Sequence, residues 1–367
     1  MRRAPHIPAP MIVLIPLLVA VGLVACHGES ALAPADGALH SARGVTAAFA
    51  KAPVVTVTAI GSDEECPAGT LAQSINPAGD VVGGCRPAAG GVRAALWQHG
   101  AMTLLGSLGG TASLALAINP AGQVVGWSAM VVEGNTRAFI WDHGVMTDLG
   151  TLQEDGWSEA HAINSAGQVV GSASISQWQS HAVLWQNGVI RDLGTLGGRS
   201  SIAFGINAAR QVVGYSATSV PGDPSSDGPN HAFLWENGVM TDLGTLGGRS
   251  SEARAINAAG QVVGVSEASS GARHAFLWVK GVMTDLGTLG GTASEAHAIN
   301  PAGQVVGSSW TSTGAEHAFL WEKGVMTDLG TLDRPSSDAF GINPAGQVVG
   351  ASYTTHFVGT ATRWTIK

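Results

Sequence analysis

Histidine and aspartate recur 11 residues apart at His181/Asp192, His231/Asp242, His274/Asp285 and His317/Asp328. A carboxylate that orients an imidazole is half of a proton relay, the arrangement used in general-base catalysis. The same pair can be a structural hydrogen bond, and three features favour that reading. The pair is repeated, whereas a reaction centre needs one copy. Arginine takes the histidine position at Arg137/Asp148, which suits an ion pair and not a relay. In the last copy Thr360 takes the basic position and no acid partner accompanies it. With a two-residue turn at Lys280-Gly281, His274 and Asp285 fall diagonally opposed on one face of a hairpin, within reach of each other. The expectation is a clasp internal to each unit, with Asp192, Asp242, Asp285 and Asp328 inside it.

A second candidate chemistry lies where the copies disagree. Five and three residues before a recurrent asparagine stand the pairs Leu71/Gln73, Leu114/Leu116, Glu159/His161, Ile202/Phe204, Glu252/Arg254, Glu295/His297 and Asp338/Phe340. If these positions face a common axis, Glu159, Glu252, Glu295 and Asp338 converge on one mouth, with His161, Arg254 and His297 one step deeper. Converging carboxylates are the chemistry of a Ca²⁺ or other cation site, or of acid/base work on a glycan. The competing expectation is a solvated rim in which acid and base neighbours pair at i, i+2. Trp157, Trp178 and Trp310 fall outside the repeated tryptophan position, in or beside loops, and are candidates for stacking on sugar rings or peptides. No nucleophile elbow, phosphate-cradling glycine loop, dinucleotide fingerprint or Cys/His zinc spacing is present. No other cofactor is expected.

The elements that position these residues follow from a repeat. The segment IN-x-x-G-Q-V-V-G, with small variations, places its asparagine at Asn76, Asn119, Asn164, Asn207, Asn257, Asn300 and Asn343, in steps of 43, 45, 43, 50, 43 and 43 residues. Each unit carries four strand signals. In one copy they are EAHAIN (295–300), QVVGSSW (304–310), HAFLW (317–321) and VMTDLGTL (325–332), separated by an NPAG turn, a variable loop and a tight turn ending in glycine. Four strands per unit of about 43 residues is the pattern of a β-propeller blade. The seventh unit stops after its third strand, and an orphan strand, VVTVTAI (54–60), precedes the first. Pairing the two closes a seven-bladed, all-β ring without an open edge. The repeated tryptophans (Trp97, Trp141, Trp185, Trp235, Trp278, Trp321, Trp364) are expected to pack between blades. Blade loops vary on one face only, where YSATSVPGDPSSDGPN (215–230) is expanded; it reads equally as a site or as a tolerated insertion.

HAFLW-x-x-G-V-M-T-D-L-G-T-L-G-G followed by A-I-N-x-x-G-Q-V-V-G resembles the HAF-repeat family of probable extracellular bacterial proteins. The resemblance covers about residues 54–367 and departs in the first unit (RAALW, with Leu104 at the aspartate position) and in the truncated seventh. It implies export and a repeat β-fold, and supplies no activity.

The chain ends bound the setting. Arg2 and Arg3 precede MIVLIPLLVAVGLV (11–24), an apolar run too short for an ordinary membrane span, so residues 1–25 read as a secretory leader. The run closes on LVAC, which resembles a bacterial lipobox with Cys26 as the lipidated mature N-terminus. An aspartate after that cysteine commonly signals inner-membrane retention. His27 stands there instead, which leans towards the outer membrane or cell surface. Residues 26–53, rich in Ala, Gly, Pro and Ser, form a tether, and 54–367 form the propeller. The remaining cysteines, Cys66 and Cys85, suit a disulfide in an exported chain. Without Arg2 and Arg3, 16 basic face 26 acidic residues, a net charge of −10, which disfavours nucleic acid as a partner. The expected protein is therefore a lipid-anchored monomer that binds a glycan, peptide or protein on its loop-rich face. The alternatives are a carbohydrate-active hydrolase or lyase and a cell-envelope scaffold.

Overall fold

The computed structural model describes residues 55–366 apart from 62–63, 89, 132–134, 221 and 356–357, so the leader, Cys26 and the tether lie outside the described residues. Twenty-eight strands form seven four-stranded antiparallel sheets. In blade 5 the strands run from inner to outer as Gly247–Ile256, Val262–Ala268, Arg273–Val279 and Val282–Asp285. Blade 7 takes its inner three strands from Ser336–Ile342, Val348–Thr355 and Val358–Ile366, and its outer strand from Val55–Ala59, paired Val57 to Trp364. Inner strands of neighbouring blades touch all round the ring, including Ser336–Ile342 against Thr70–Ile75. Strands from the two ends of the propeller thus share one sheet and close the ring.

The core is seven seams rather than one centre. Each seam interleaves two blades, as where Val263 and Ala275 of blade 5 meet Ala296, Val305 and Phe319 of blade 6. Trp97, Trp185, Trp235 and Trp364 are buried in these seams. Burying one such large apolar side chain contributes roughly 1.5–3 kcal/mol.

Hydrogen bonds repeat with the seams. The motif asparagine is buried and does more than start a turn. Asn257 Oδ1 accepts the N–H groups of Ala259 and Gln261, while Nδ2 donates to Gln261 Oε1 and to Asn300 O of the next blade, 3.1 Å away. The same step to the next asparagine carbonyl recurs at Asn119, Asn164, Asn207, Asn300 and Asn343. A buried serine six residues earlier ties each of blades 2 to 7 to its predecessor, as where Ser251 Oγ accepts from Ala232 N and donates to Gly244 O; in blade 1 Thr70 takes this place and accepts from Ala361 N.

Each inner strand carries a bulge. In blade 5 Ala253 pairs with Gly264 and Ala255 with Val263, leaving Arg254 unpaired between them. The bulge drives the Glu252 carbonyl against the facing strand, so a Cβ at Gly264 would stand 1.9 Å from that oxygen. That contact is why glycine ends each QVVG.

Two sequence expectations change. The outer strand is mostly VMTD alone, not VMTDLGTL: at Gly287 (φ 76°) the chain turns out of the sheet, and Gly290 (φ 93°) already begins the next inner strand. The expanded segment of blade 4 is no loose loop. Its strands Val212–Val220 and Asp223–Glu236 lengthen into a hairpin, pinned where Asp227 accepts from the Arg199 backbone N–H at 2.6 Å.

Candidate functional site

The His/Asp pairs form as the spacing requires. Histidine Nδ1 lies 2.7–2.8 Å from a carboxylate oxygen of its aspartate in His181/Asp192, His231/Asp242, His274/Asp285 and His317/Asp328. Each pair joins the third and fourth strands of one blade, and its two members differ in exposure. The histidines are largely covered, with side chains 18–24% exposed, but Asp192, Asp242, Asp285 and Asp328 are exposed at 41–42%. The physical reason is the short outer strand. Asp192, Asp242 and Asp285 are the last residues of VIRD or VMTD strands, and Asp328 stands two residues before the end of its own. A strand at the edge of a sheet has a neighbour on one side only, so water reaches the carboxylate from the other.

The aspartates also do a second task. Asp192 accepts the Gly194 N–H at 2.8 Å, Asp242 that of Gly244 at 2.7 Å, Asp285 that of Gly287 at 2.7 Å, and Asp328 that of Gly330 at 2.7 Å. The pair therefore fixes the point where the chain leaves one blade for the next. The fifth instance is corrected: Arg137 bonds Thr151 Oγ1 and Glu154 O, not Asp148. Its longer side chain passes the strand and pins the following loop, while Asp148 still caps Gly150.

The unlike positions gather on the axis. Glu159, Glu252, Glu295 and Asp338 lie on inner strands, and His161, Arg254 and His297 are the bulge residues of theirs. A bulge re-aims a side chain, so both variable positions of a blade serve the same channel. The wall is two-sided. Blades 1 and 2 contribute Leu71, Leu114 and Leu116, whereas blades 5 to 7 contribute charge.

The four carboxylates do not share a focus. Arg254 Nη2 lies 2.9 Å from Glu252 Oε2 and 4.0 Å from Glu295 Oε2, and Arg273 reaches Glu295 Oε1 at 3.3 Å. Asp338 faces His297 of the neighbouring blade, with Nε2 to Oδ1 at 3.3 Å, close enough for an ion pair but not aligned as a hydrogen bond. Glu159 stands apart, 4.0 Å from His161. Among the described residues no three His, Cys, Asp or Glu side chains are placed to hold one metal ion. Carboxylates brought this close are stabilised by guanidinium groups instead. Pairing at i, i+2 holds for Glu252/Arg254 and fails for Glu295/His297, whose partners lie across strands and blades.

The electrostatics follow from burial and neighbours. Burial raises the Glu159 carboxyl above its usual range. Burial, reinforced by the Arg254 charge, lowers His161 to about 4, so it is neutral at pH 7. Burial opposes charge on His297, but the Asp338 carboxylate outweighs it and raises that imidazole. The inner wall is stacked as well: His161 meets Phe204 edge-on at 5.0 Å, and Arg254 lies over the same ring at 5.2 Å.

Several participants are absent from the sequence expectation. Arg273 begins the third strand of blade 5. Tyr353, Glu316, Ser336, Ser337 and Asp338 line a cavity of about 160 Å³, and Ser308 donates to Glu316 at 2.9 Å. Burial, then Asp338 and Glu316, push the Tyr353 phenol far above its usual range. Burial and Glu252 raise Tyr215, which faces Phe204. Arg273, Tyr353, Glu316, Ser308 and Tyr215 sit on second and third strands, so only pairing register brings them to the axis beside Asp338. One signal was available: Tyr215 and Tyr353 are the chain's only tyrosines.

The three extra tryptophans do not form a group. Trp178 is 85% exposed in the turn between the second and third strands of blade 3. Trp157 is half-buried, its backbone N–H donating to Ser174 Oγ. Trp310 is a strand residue, half-buried and paired with Glu316. Cys66 and Cys85 form a disulfide that ties the segment after the closing strand to blade 1.

No protein-family model matches the chain, and no curated protein matches it. Its fold is similar to that of a puromycin-hydrolyzing peptidase of Mycobacterium tuberculosis, with TM-score 0.52 and 12% identity over 83% of this chain and 53% of that one. It is also similar to an acylaminoacyl peptidase of Pyrococcus horikoshii, with TM-score 0.51 and 11% identity over 80% and 50%. TolB from Acinetobacter baumannii aligns with TM-score 0.45 and 13% identity over 70% and 61%. The chain thus spans between half and about three fifths of these proteins' length. At such identities the likeness is one of fold alone.

Proposed function

We propose that this chain is an exported propeller of the HAF-repeat type, anchored by lipid on Cys26 through the 26–53 tether, that binds a peptide or protein segment at the channel mouth. The observation that carries this reading is the confinement of unlike residues to one register. Five seams, from blade 2 round to blade 7, repeat both the asparagine and the serine device, while Glu159, Glu252, Glu295 and Asp338 replace one another only with leucine or isoleucine at that position. With Glu316, five carboxylates face two guanidinium groups, Arg254 and Arg273, so the mouth favours a cationic group. The apolar wall of Leu71, Leu114 and Leu116 suits the aliphatic part of such a segment. Trp178 offers a further contact on the loop-rich face, where a glycan would stack.

A hydrolase reading draws support from Glu159 alone, whose raised pKa suits a general acid. Glu252 and Glu295 are paired with arginine, and Asp338 faces His297 of the neighbouring blade.

The test is retention of a lysine- and arginine-bearing peptide library, beside a glycan array, on the chain carrying Cys26→Ser. Basic peptides are expected to bind in low salt, and Glu252→Ala/Glu295→Ala to weaken them at least tenfold. Undiminished binding by that variant would refute the site. Anchoring is read separately, by incorporation of labelled palmitate into the wild-type chain and its loss in Cys26→Ser.

A further inference from the structure

The ring has one seam unlike the others. Where blade 7 meets blade 1, two motif positions change together. The residue before the blade tryptophan is leucine or isoleucine in six copies (Leu96, Ile140, Leu184, Leu234, Leu277, Leu320) and Arg363 in the seventh. The residue after the motif turn is glutamine in six copies and Asp80 in the first. At an ordinary seam the leucine packs across to the next blade, as Leu320 does with Ile342, Val348 and Trp364. At the closing seam the apolar cluster, which includes Ile75, Val81, Trp97, Val349 and the Cys66–Cys85 disulfide with Ile60 and Met102 packed against it, holds no leucine. A cleft of about 380 Å³ opens there, lined by Arg363, Asp80, Trp97, Gln347 and Ile60 together with the two short turns of blade 1.

The two charges in this cleft do not neutralise each other. Among the described residues Arg363 makes no ion pair; Nη2 donates to Gly79 O at 3.1 Å. Asp80 likewise has no cationic partner there; Oδ2 accepts from Asn76 Nδ2. Gln347, which also lines the cleft, commits its carbonyl to Asn343, and its amide group has no protein acceptor among the described residues. In other blades that amide meets a carboxylate, Asp142 for Gln123 and Glu322 for Gln304. Arg363 Nε and Trp97 Nε1 are buried with no partner. Opposite charges that line one cavity without pairing, beside spare N–H donors, call for something that carries both a negative and a positive end.

We infer that the closing seam is a binding site for a small zwitterion, a free amino acid or dipeptide, with its carboxylate on Arg363 and Gln347 and its ammonium on Asp80. The seam lies beside the short turns, away from the channel mouth, so the site stands independently of the peptide-binding reading. Six seams filled by leucine or isoleucine give the ring its stability; the seventh gives up that packing for two charges.

The test uses the whole chain and calorimetric titration with free L-amino acids and with Ala-Ala. Wild type is expected to bind at least one, in the micromolar to millimolar range. Arg363→Leu and Asp80→Gln, which restore the residues of the other seams, are each expected to lose that binding more than tenfold. Arg363→Leu is also expected to match or exceed the wild-type melting temperature, which separates loss of ligand from loss of fold. The N-acetyl and C-amide forms of the bound compound are expected to fail. Failure of every free amino acid and of Ala-Ala to bind wild type overturns the inference. So does binding that survives both substitutions, or blocked forms that bind as well as free ones.

Discussion

Acidification from pH 7 should destabilise this propeller through His161, and the size of the effect follows from its position. The imidazole is a bulge residue on the axis, edge-on to Phe204, and burial with the Arg254 charge lowers it to about 4. An unfolded chain protonates the same imidazole near 6.5. Between these values the unfolded state binds the extra proton, so stability falls as pH falls through that window. The full span corresponds to about 3 kcal/mol at 1.36 kcal/mol per pH unit, an upper figure because local opening admits water first. His297 acts in the opposite sense: its raised pKa favours the folded state below about 6.5, an effect lost as pH rises above its folded value. The assay is urea unfolding from pH 7.5 to 4.5 for wild type and His161→Gln, with NMR titration of the imidazole. The variant should lose most of the slope between pH 6.5 and 4.5. Equal slopes in the two proteins, or an imidazole titrating near 6.5, would refute the reasoning.

Three further outcomes are expected. Asn257→Ala removes four hydrogen bonds in a buried turn, one of them to blade 6; a loss of about 2–4 kcal/mol in urea unfolding is expected. Gly264→Ala puts a methyl 1.9 Å from Glu252 O, so the bulge cannot persist and Arg254 should lose its contact with Glu252, visible as a large fall in melting temperature. Cys66→Ala/Cys85→Ala opens a loop of about 20 residues and should cost roughly 3 kcal/mol, while a wild-type chain under reducing conditions should unfold at the same lower urea concentration.

The repeat made the ring legible because each device is local and recurs. Turn residues, alternating β-formers and a spacing of 43 residues specify four strands and their order. The missing fourth strand at the C-terminal end and the orphan at residues 54–60 specify the closure between them. The His/Asp contact could be placed for the same reason, since a two-residue hairpin sets its register. The openness of Asp192, Asp242, Asp285 and Asp328 to water could not, because it depends on how early the outer strand ends. The sequence also marked where copies differ, and those positions do line the axis.

What those differences amount to was decided by tertiary structure. Charges that look convergent along one strand are shared out between blades, so Arg254 answers Glu252 and Glu295 while His297 answers Asp338. Arg137 looked like a partner for Asp148 by spacing, yet its length carries it to Thr151 and Glu154. The bulge at each inner strand cannot be read from QVVG, because it depends on a carbonyl of one strand pressing on a glycine of another. Nor does the spacing of Asp80 and Arg363, 283 positions apart, suggest that they share a cleft. Hydrogen-bonding pattern within a blade is set by neighbours in the chain. Which side chains meet across a seam is set by closing the ring, and that brings together residues from its two ends.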